Sequence, residues 1–337
     1  MKIENIPSPF PGFINLAADR LGAKALYAND DFFAEKENLI RPGRGIFIAD
    51  KYTDRGKWMD GWESKRRRTP GHDWCIVQLG VPGIIKGFDI DTNHFLGNHP
   101  PFASIQAAYL TEEPSATTLA NDEIEWTTIL EKSPLNPGSQ HFFESATDQV
   151  WTHVKLNIFP DGGVARLKVY GTVVKDWSNV AATECVDLIA AVNGGKAIHC
   201  NDMFFSAMEN LILPNRGINM GDGWETKRNR IPNNSDWVIL KMATRGQIKR
   251  IVVDTNHFKG NYPDRCALEG CVCKNDEEAL SPETSWTSIL PEVKLAAHQE
   301  HFYESEIQVA GPFTHLKLKI FPDGGISRLR VLGHVIS

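Results

Sequence analysis

The amino-acid sequence predicts an all-β fold: a tandem duplication of two antiparallel jelly-roll β-sandwich domains. Three observations predict it. Five sequence blocks recur in the same order in the two halves of the 337-residue chain, the apolar periodicity is mostly two, and turn residues punctuate short strand-like runs.

The repeat sets the number of domains. Ala25 to Asn29 and Asp30 returns as Ala197 to Asn201 and Asp202, and both copies then run on to Glu-Asn-Leu-Ile, ending at Ile40 and Ile212. Gly61-Trp62-Glu63-Ser64-Lys65-Arg66 returns as Gly223-Trp224-Glu225-Thr226-Lys227-Arg228. Asp91-Thr92-Asn93-His94-Phe95 returns as Asp254-Thr255-Asn256-His257-Phe258. His141 to Glu144 matches His301 to Glu304, and Ile158 to Gly163 matches Ile320 to Gly325. A period of roughly 160 residues is far too long for a solenoid, so each copy is expected to be a domain with its own core. The domains are placed at residues 12–174 and 184–337, with residues 175–183 as a linker. The loop Arg41–Asp60 is twice as long as its counterpart Leu213–Asp222 and is expected to cover a neighbouring pocket with Asp50, Lys51, Asp54, Arg55 and Lys57. Loop insertions are where related domains diverge in function.

Within a copy, Thr152 to Ile158 alternates polar and apolar residues as a half-buried strand requires. Arg166 to Val169 continues the pattern, with Leu167 and Val169 inward and Arg166 and Lys168 outward. Pro160-Asp161-Gly162-Gly163 between them reads as a hairpin turn. Trp74 to Leu79, Ile84 to Asp91 and Phe102 to Leu110 read as further strands, separated by turns. Helical periodicity is confined to short candidates, Ile14 to Leu21 and Val186 to Val192.

Composition narrows the function classes. Hydrophobic residues make up 42% and charged residues 23%, enough apolar side chain for real cores. A net charge of −6 offers no general attraction to nucleic acid or an anionic membrane. No apolar run reaches the roughly 18–20 residues of a membrane span, and Met1 to Pro7 lacks an apolar signal core. The six cysteines fall at irregular places, which predicts reduced thiols and a cytoplasmic protein. Cys271-x-Cys273 has the elements of a metal ligand pair, but no second pair stands nearby and no site is expected there. No phosphate-binding glycine loop and no serine nucleophile elbow occurs.

The shared polar residues are the candidates for chemistry. Asp91 and Asn93 alternate with Ile90 and Thr92 along a strand end, followed by His94; Asp254, Asn256 and His257 repeat the arrangement. Beside the Gly97-Asn98 and Gly260-Asn261 loops, these groups are expected to line a pocket. The second candidate block carries Trp62, Glu63, Lys65 and Arg66, repeated as Trp224, Glu225, Lys227 and Arg228. A guanidinium binds a carboxylate through two parallel hydrogen bonds, and a glutamate accepts from the N–H groups of a urea or amide. Arg166 and Arg328 emerge after the glycine turn within reach of a ligand. Glu144 and Glu304, with His141 and His301, are candidate acid–base groups. Together with Asp91 and His94 they also offer the ligand types of a divalent metal site, and a structural His–Glu pair is the alternative reading of these residues.

These blocks, together and duplicated, closely resemble the allantoicase family over nearly the whole chain, from about Phe13 to Gly333. The resemblance implies two jelly-roll repeats similar to galactose-binding-like sandwiches. It also implies hydrolysis of allantoate to ureidoglycolate and urea in purine breakdown, and a homo-oligomer. It brings no settled set of catalytic residues, so roles follow from the substrate's chemistry. Allantoate carries a carboxylate and two ureido groups on one carbon. Arg66 or Arg228 is assigned to the carboxylate, and Glu63 or Glu225 to the urea N–H groups. His94 or His257 is the proton-transfer group, oriented by Asp91 or Asp254. The rival reading is a noncatalytic ligand-binding tandem sandwich for a sugar or ureide, since this fold alone does not imply chemistry.

Overall fold

The computed structural model describes residues 9, 10 and 12–336. The N-terminal segment Met1 to Pro7, read above for a signal sequence, lies outside the described residues. The chain divides into two compact units, with the boundary between Val174 and Lys175. Among the described residues no helix is long and apolar enough to cross a membrane.

In the first unit the strands are β1 (Ile14–Asn15), β2 (Lys24–Ala28), β3 (Tyr52–Thr53), β4 (Gly56–Lys57), β5 (Trp62–Glu63), β6 (Asp73–Asp91), β7 (Phe102–Ala108), β8 (Thr127–Pro134), β9 (Gln140–Glu144), β10 (Val150–Phe159), β11 (Gly163–Val164) and β12 (Arg166–Val173). A one-turn helix α1 (Ala116–Ala120) follows β7, capped by the Ser115 side chain. The organising element is β6, which belongs to both layers of the sandwich. Its first part pairs with β2 and β10, and β10 continues to β7 and β8. Its last part pairs with β12 and β9, and β12 continues to β1. All these pairings are antiparallel. The two strands expected at Trp74 to Leu79 and Ile84 to Asp91 are therefore one bent strand. Gly80 to Gly83 turns the strand from sheet to sheet without ending it, as sandwich corners do. The Pro82 carbonyl still accepts from Val174 N, and Gly80 N donates to Leu16 O, so the bend leaves these groups paired.

The bend also explains why Pro160 to Gly163 is not a hairpin. Ile158 pairs with Asp73 at one end of β6, and Arg166 pairs with Asp91 at its other end. The turn thus crosses between layers, and both ends of β6 meet at one pole of the sandwich. The inward residues Val77, Phe88, Ile90, Ile105, Leu156, Leu167 and Val169 fill the space between the layers. The outer face of β10 is covered as well, contrary to its half-buried pattern. Lys155 is ion-paired to Asp122 and lies 4.5 Å from the Trp74 ring, and Asn157 donates to Gln106 Oε1 (3.1 Å).

The second unit repeats the plan with β13 (Cys185–Asp187), β14 (Lys196–Cys200), β15 (Trp224–Glu225), β16 (Asp236–Asp254), β17 (Arg265–Cys271), β18 (Thr287–Lys294), β19 (Glu300–Tyr303), β20 (Phe313–Phe321), β21 (Gly325–Ile326), β22 (Arg328–Val335) and the short helix α2 (Asp276–Leu280). Here β16 is the shared bent strand, pairing with β14, β20, β22 and β19.

The expected helices at Ile14 to Leu21 and Val186 to Val192 do not form. Each segment is a short strand followed by a single 3-10 turn, Asp19–Leu21 or Ala191–Asn193. Asn15 Oδ1 accepts from Ala17 N and Val169 N, and Asp187 Oδ1 accepts from Ile189 N and Val331 N. A short polar side chain that satisfies backbone groups two residues on competes directly with a helical ladder.

At the shared pole, the long loop before β5 is bound by two buried ion pairs. Arg44 grips Asp91 through Nε–Oδ2 (2.6 Å) and Nη2–Oδ1 (2.8 Å), and Arg166 Nη2 meets Asp60 Oδ2 (2.8 Å). Asn93 Nδ2 donates to Gly45 O (2.7 Å), and Ile46 N donates to Asp60 Oδ2 (2.9 Å). Asp91 is fully buried, so removal of its partner strands a charge at a cost of about 3–5 kcal/mol. Arg44→Met is expected to lower stability by about that amount in equilibrium urea unfolding. Arg216→Met, at the corresponding pair with Asp254, is expected to cost distinctly less, because the Arg216 side chain is 52% exposed.

Candidate functional site

The pole where β6 ends carries a cleft of about 440 Å3 in the first unit. Glu63, His94, Asn98, Lys57, Phe47 and Phe33 are among the residues that line it. Glu63 is held by its backbone on both sides: its N–H and carbonyl bond Ala34, and Gly163 of β11 is its cross-strand partner. Gly163 admits no side chain, since a Cβ there would lie 2.0 Å from the Phe95 ring. Asn98 Nδ2 donates to Glu63 Oε1 at 2.7 Å. Burial pushes the Glu63 carboxyl above its ordinary pKa, and the Asn98 hydrogen bond only partly offsets that rise.

His94 follows the end of β6 with φ 69°, and His257 does the same with φ 70°. Left-handed backbone at a non-glycine residue costs of order 1 kcal/mol or more and tends to gather at functional sites. The His94 ring stacks on Phe47, with centroids 5.5 Å apart. Lys57 Nζ lies 4.5 Å from the centroid of the same Phe47 ring. Burial lowers the His94 pKa, opposed by the Gly45 carbonyl, so the ring is neutral at physiological pH. The cleft therefore joins a carboxylate reluctant to ionise, a neutral imidazole and an exposed cation, walled by aromatic rings.

The second unit has a different pocket at the corresponding place. Its cleft of about 570 Å3 is lined by Glu225, Arg228, Asn261, Tyr262 and Asp323, among others. Asn261 Nδ2 donates to Glu225 Oε1 at 2.5 Å. His257 does not line it; its Nε2 faces Gly217 O (3.0 Å), and its backbone N–H donates to His298 Nδ1 (2.8 Å).

Other candidates from the sequence lie elsewhere or serve the scaffold. Trp62 and Trp224 are fully buried, and each Nε1 donates to a backbone carbonyl, Asp30 O or Asp202 O, at 2.8 Å. They are packing residues. Asp91 and Asp254 do not orient the histidines: they are taken by Arg44 and Arg216, and each also accepts from the following asparagine's N–H. Asn93 and Asn256 are buried and tie down Gly45 and Gly217. Arg166 and Arg328, expected to face outward toward a ligand, are 3% exposed and bound to Asp60 and Asp222, because the preceding loop closes over them. Lys65 and Lys227 are exposed beside Asp30 and Asp202. Arg66 is exposed and is not among the cleft residues, whereas Arg228 is. Arg67, next to this block, pairs with Asp73 at 2.6 Å.

Glu144 and Glu304 are exposed and remote from the cleft. Gln140, not Glu144, is opposite Asp91, which places Glu144 four residues, roughly 13 Å, along the sheet. Glu304 is ion-paired to Arg250. His141 and His301 are satisfied by the backbone: Nδ1 meets Ile90 O or Val253 O, and Nε2 accepts from Asn136 N or Ala296 N. A divalent metal site built from these blocks with Asp91 and His94 is therefore not assembled.

Arg44 and Asp60 escaped the sequence reading, although a signal was present. Arg44-Gly45-Ile46 recurs as Arg216-Gly217-Ile218, and Asp60 recurs as Asp222 directly before the Gly-Trp-Glu block. Of the long loop, Lys57 and Phe47 reach the cleft, while Asp54 and Arg55 line a separate depression of about 300 Å3.

A family model described as the allantoicase repeat matches residues 14–174 and again 186–336. The chain belongs to the allantoicase family. A probable allantoicase of Pseudomonas fluorescens strain SBW25 is 48% identical over 331 residues, covering 97% of this chain and 98% of its own. Probable allantoicase 1 of Burkholderia mallei is 46% identical, with 98% and 96% covered. The crystal structure of allantoicase from Saccharomyces cerevisiae superposes with a TM-score of 0.80 at 36% identity, over 96% of this chain and 93% of that one. The repeat occurs twice in this chain, and the two copies differ in what their clefts contain. Since His94 lines a cleft and His257 does not, His94→Ala and His257→Ala are expected to differ in kcat by at least about tenfold, roughly 1.4 kcal/mol of barrier. Steady-state kinetics on both folded variants measures this.

Proposed function

We propose that the protein hydrolyses allantoate to ureidoglycolate and urea, and that the first unit's cleft is where it does so. Family membership carries the reaction class. The observation that carries the site is the convergence of Glu63, His94 and Lys57 on one cleft under the long loop. Lys57 supplies the cation for the substrate carboxylate, a role assigned from the sequence to Arg66. Glu63 accepts from the N–H groups of a ureido arm, with Asn98 holding the carboxylate in place. His94 takes a proton from the incoming water and passes it to the departing urea nitrogen. One C–N bond breaks, one C–O bond forms, and the proton ends on urea. The six free cysteines support a cytoplasmic location as part of the same reading.

In this scheme Glu63 acts ionised and His94 acts neutral, so both working forms accumulate as pH rises. Glu63 is displaced upward from 4.5 and His94 downward from 6.5. The two titrations are thus brought together, and kcat/KM is expected to fall along an acid limb between these values and to level off above it. Glu63→Gln is expected to lower kcat by about 100-fold or more and to remove its share of that limb. Urea release from allantoate across this pH range is the test; a flat profile in the parent protein would contradict the assignment.

A further inference from the structure

Away from the cleft, the second unit holds a group of side chains that the proposed reaction does not use. Cys271 ends β17, and His315 on β20 is its direct cross-strand partner. Cys273 lies two residues further on, and the two sulfurs are 3.4 Å apart. The ligand atoms of Cys271, Cys273 and His315 all lie within 4.8 Å of one another, and all three residues are buried. Two sulfurs bound at about 2.3 Å to one tetrahedral ion stand roughly 3.8 Å apart. A few tenths of an ångström would therefore bring the sulfurs to that spacing, and the imidazole, within 4.8 Å of them, would close by about an ångström to reach the roughly 3.6 Å of a bound S–N pair.

The surroundings are those of a built site. His315 Nε2 faces Asp276 Oδ1 at 3.2 Å, and Asp276 is also bound by Lys241 (2.8 Å). A carboxylate on one ring nitrogen fixes the imidazole and raises the basicity of the other, as beside many metal ions. That other nitrogen, Nδ1, lies 2.9 Å from Thr314 Oγ1, and the same hydroxyl accepts from Cys273 N at 2.8 Å. The histidine is thus tied to the Cys-x-Cys ribbon, and an ion would take Nδ1 in exchange for the Thr314 hydroxyl. Ile198, Trp286 and Ala279 pack around the cysteines and keep water from competing. Val272, between them, is 58% exposed, so the group lies just below the surface and an ion has a short way in.

The first unit provides an internal control. It has the same strands and the same histidine, His153 opposite Ala108, and the same bond from Leu110 N to Thr152 Oγ1. The donors are missing: Ala108 and Leu110 stand where the second unit has Cys271 and Cys273, and Ala116 begins α1 where Asp276 begins α2. The scaffold needs neither thiol nor carboxylate here.

We propose that Cys271, Cys273 and His315 bind one thiophilic d10 cation, Zn(II) or Cu(I), with Asp276 orienting the histidine. Two thiolates and an imidazole select soft metal ions over magnesium or calcium. Each thiol releases its proton to solvent as its sulfur–metal bond forms, and no electron is transferred. The test uses the full chain, reduced with a phosphine and stripped with a chelator, its free thiols counted first. Zn(II) and Cu(I) are titrated separately against chromophoric chelators, and thermal unfolding is followed with and without each ion. The expected result is one equivalent of at least one of the two ions per chain, with a raised Tm. Both effects should vanish in the double variant Cys271→Ala, Cys273→Leu, which installs the first unit's own residues. Cys271→Ser is expected to lose the same equivalent and serves if the double variant does not fold. Failure of the reduced parent to bind either ion, or equal binding by parent and variants, would overturn the proposal.

Discussion

The fully buried carboxylate of Asp91 is the constraint on which the first unit's functional end depends. It terminates a strand shared by both layers, and a charge in that position must be paired and hydrogen-bonded. Arg44 answers it from a loop nearly fifty residues earlier in the chain, and Asp60 of the same loop answers the buried Arg166. Two ion pairs of opposite polarity thus fasten both ends of one loop to adjacent strands. Breaking such a pair is far more costly than the pair is worth as a net stabiliser. Its contribution is to specify where the loop lies. The loop in turn carries Phe47 and Lys57 to the rim of the cleft.

The same fastening exists in the second unit through Arg216–Asp254 and Arg328–Asp222. What differs is the length of chain between the fastened points. The short loop keeps the anchors and has no counterpart of the Phe47 and Lys57 arrangement over the histidine. His257 sets its Nε2 on Gly217 O just as His94 meets the Gly45 carbonyl, and Arg228 is the cation of that cleft. A duplicated scaffold can hold its packing and ion pairs constant while an insertion in one loop changes what the site contains.

The division between what was legible in the sequence and what was not follows from the range of the interactions. Period-two strands, the duplication and the Gly97-Asn98 loop just after His94 are local or repeated patterns, and the sequence displays them directly. Shared polar residues are ambiguous, because a duplication retains a buried ion pair for the same reason that it retains a core leucine. Asp91, Asn93, Arg166 and the two tryptophans were retained for the scaffold, and their partners are distant in sequence. The bent β6 hid in the same way: Gly80-Val81-Pro82-Gly83 has the residues of a turn, and only packing against Leu16 and β12 makes it a corner within one strand. Of the Cys271, Cys273 and His315 group the sequence displayed only the Cys-x-Cys pair, because the third donor comes from a neighbouring strand.

The central claim is that the chemistry belongs to the first unit's cleft. A crystal structure of the slowed Glu63→Gln variant soaked with allantoate tests it most directly. The account predicts the ligand in that cleft, with its carboxylate toward Lys57 and a ureido arm between His94 and Asn98. Allantoate bound only in the Glu225–Arg228 cleft of the second unit would contradict it.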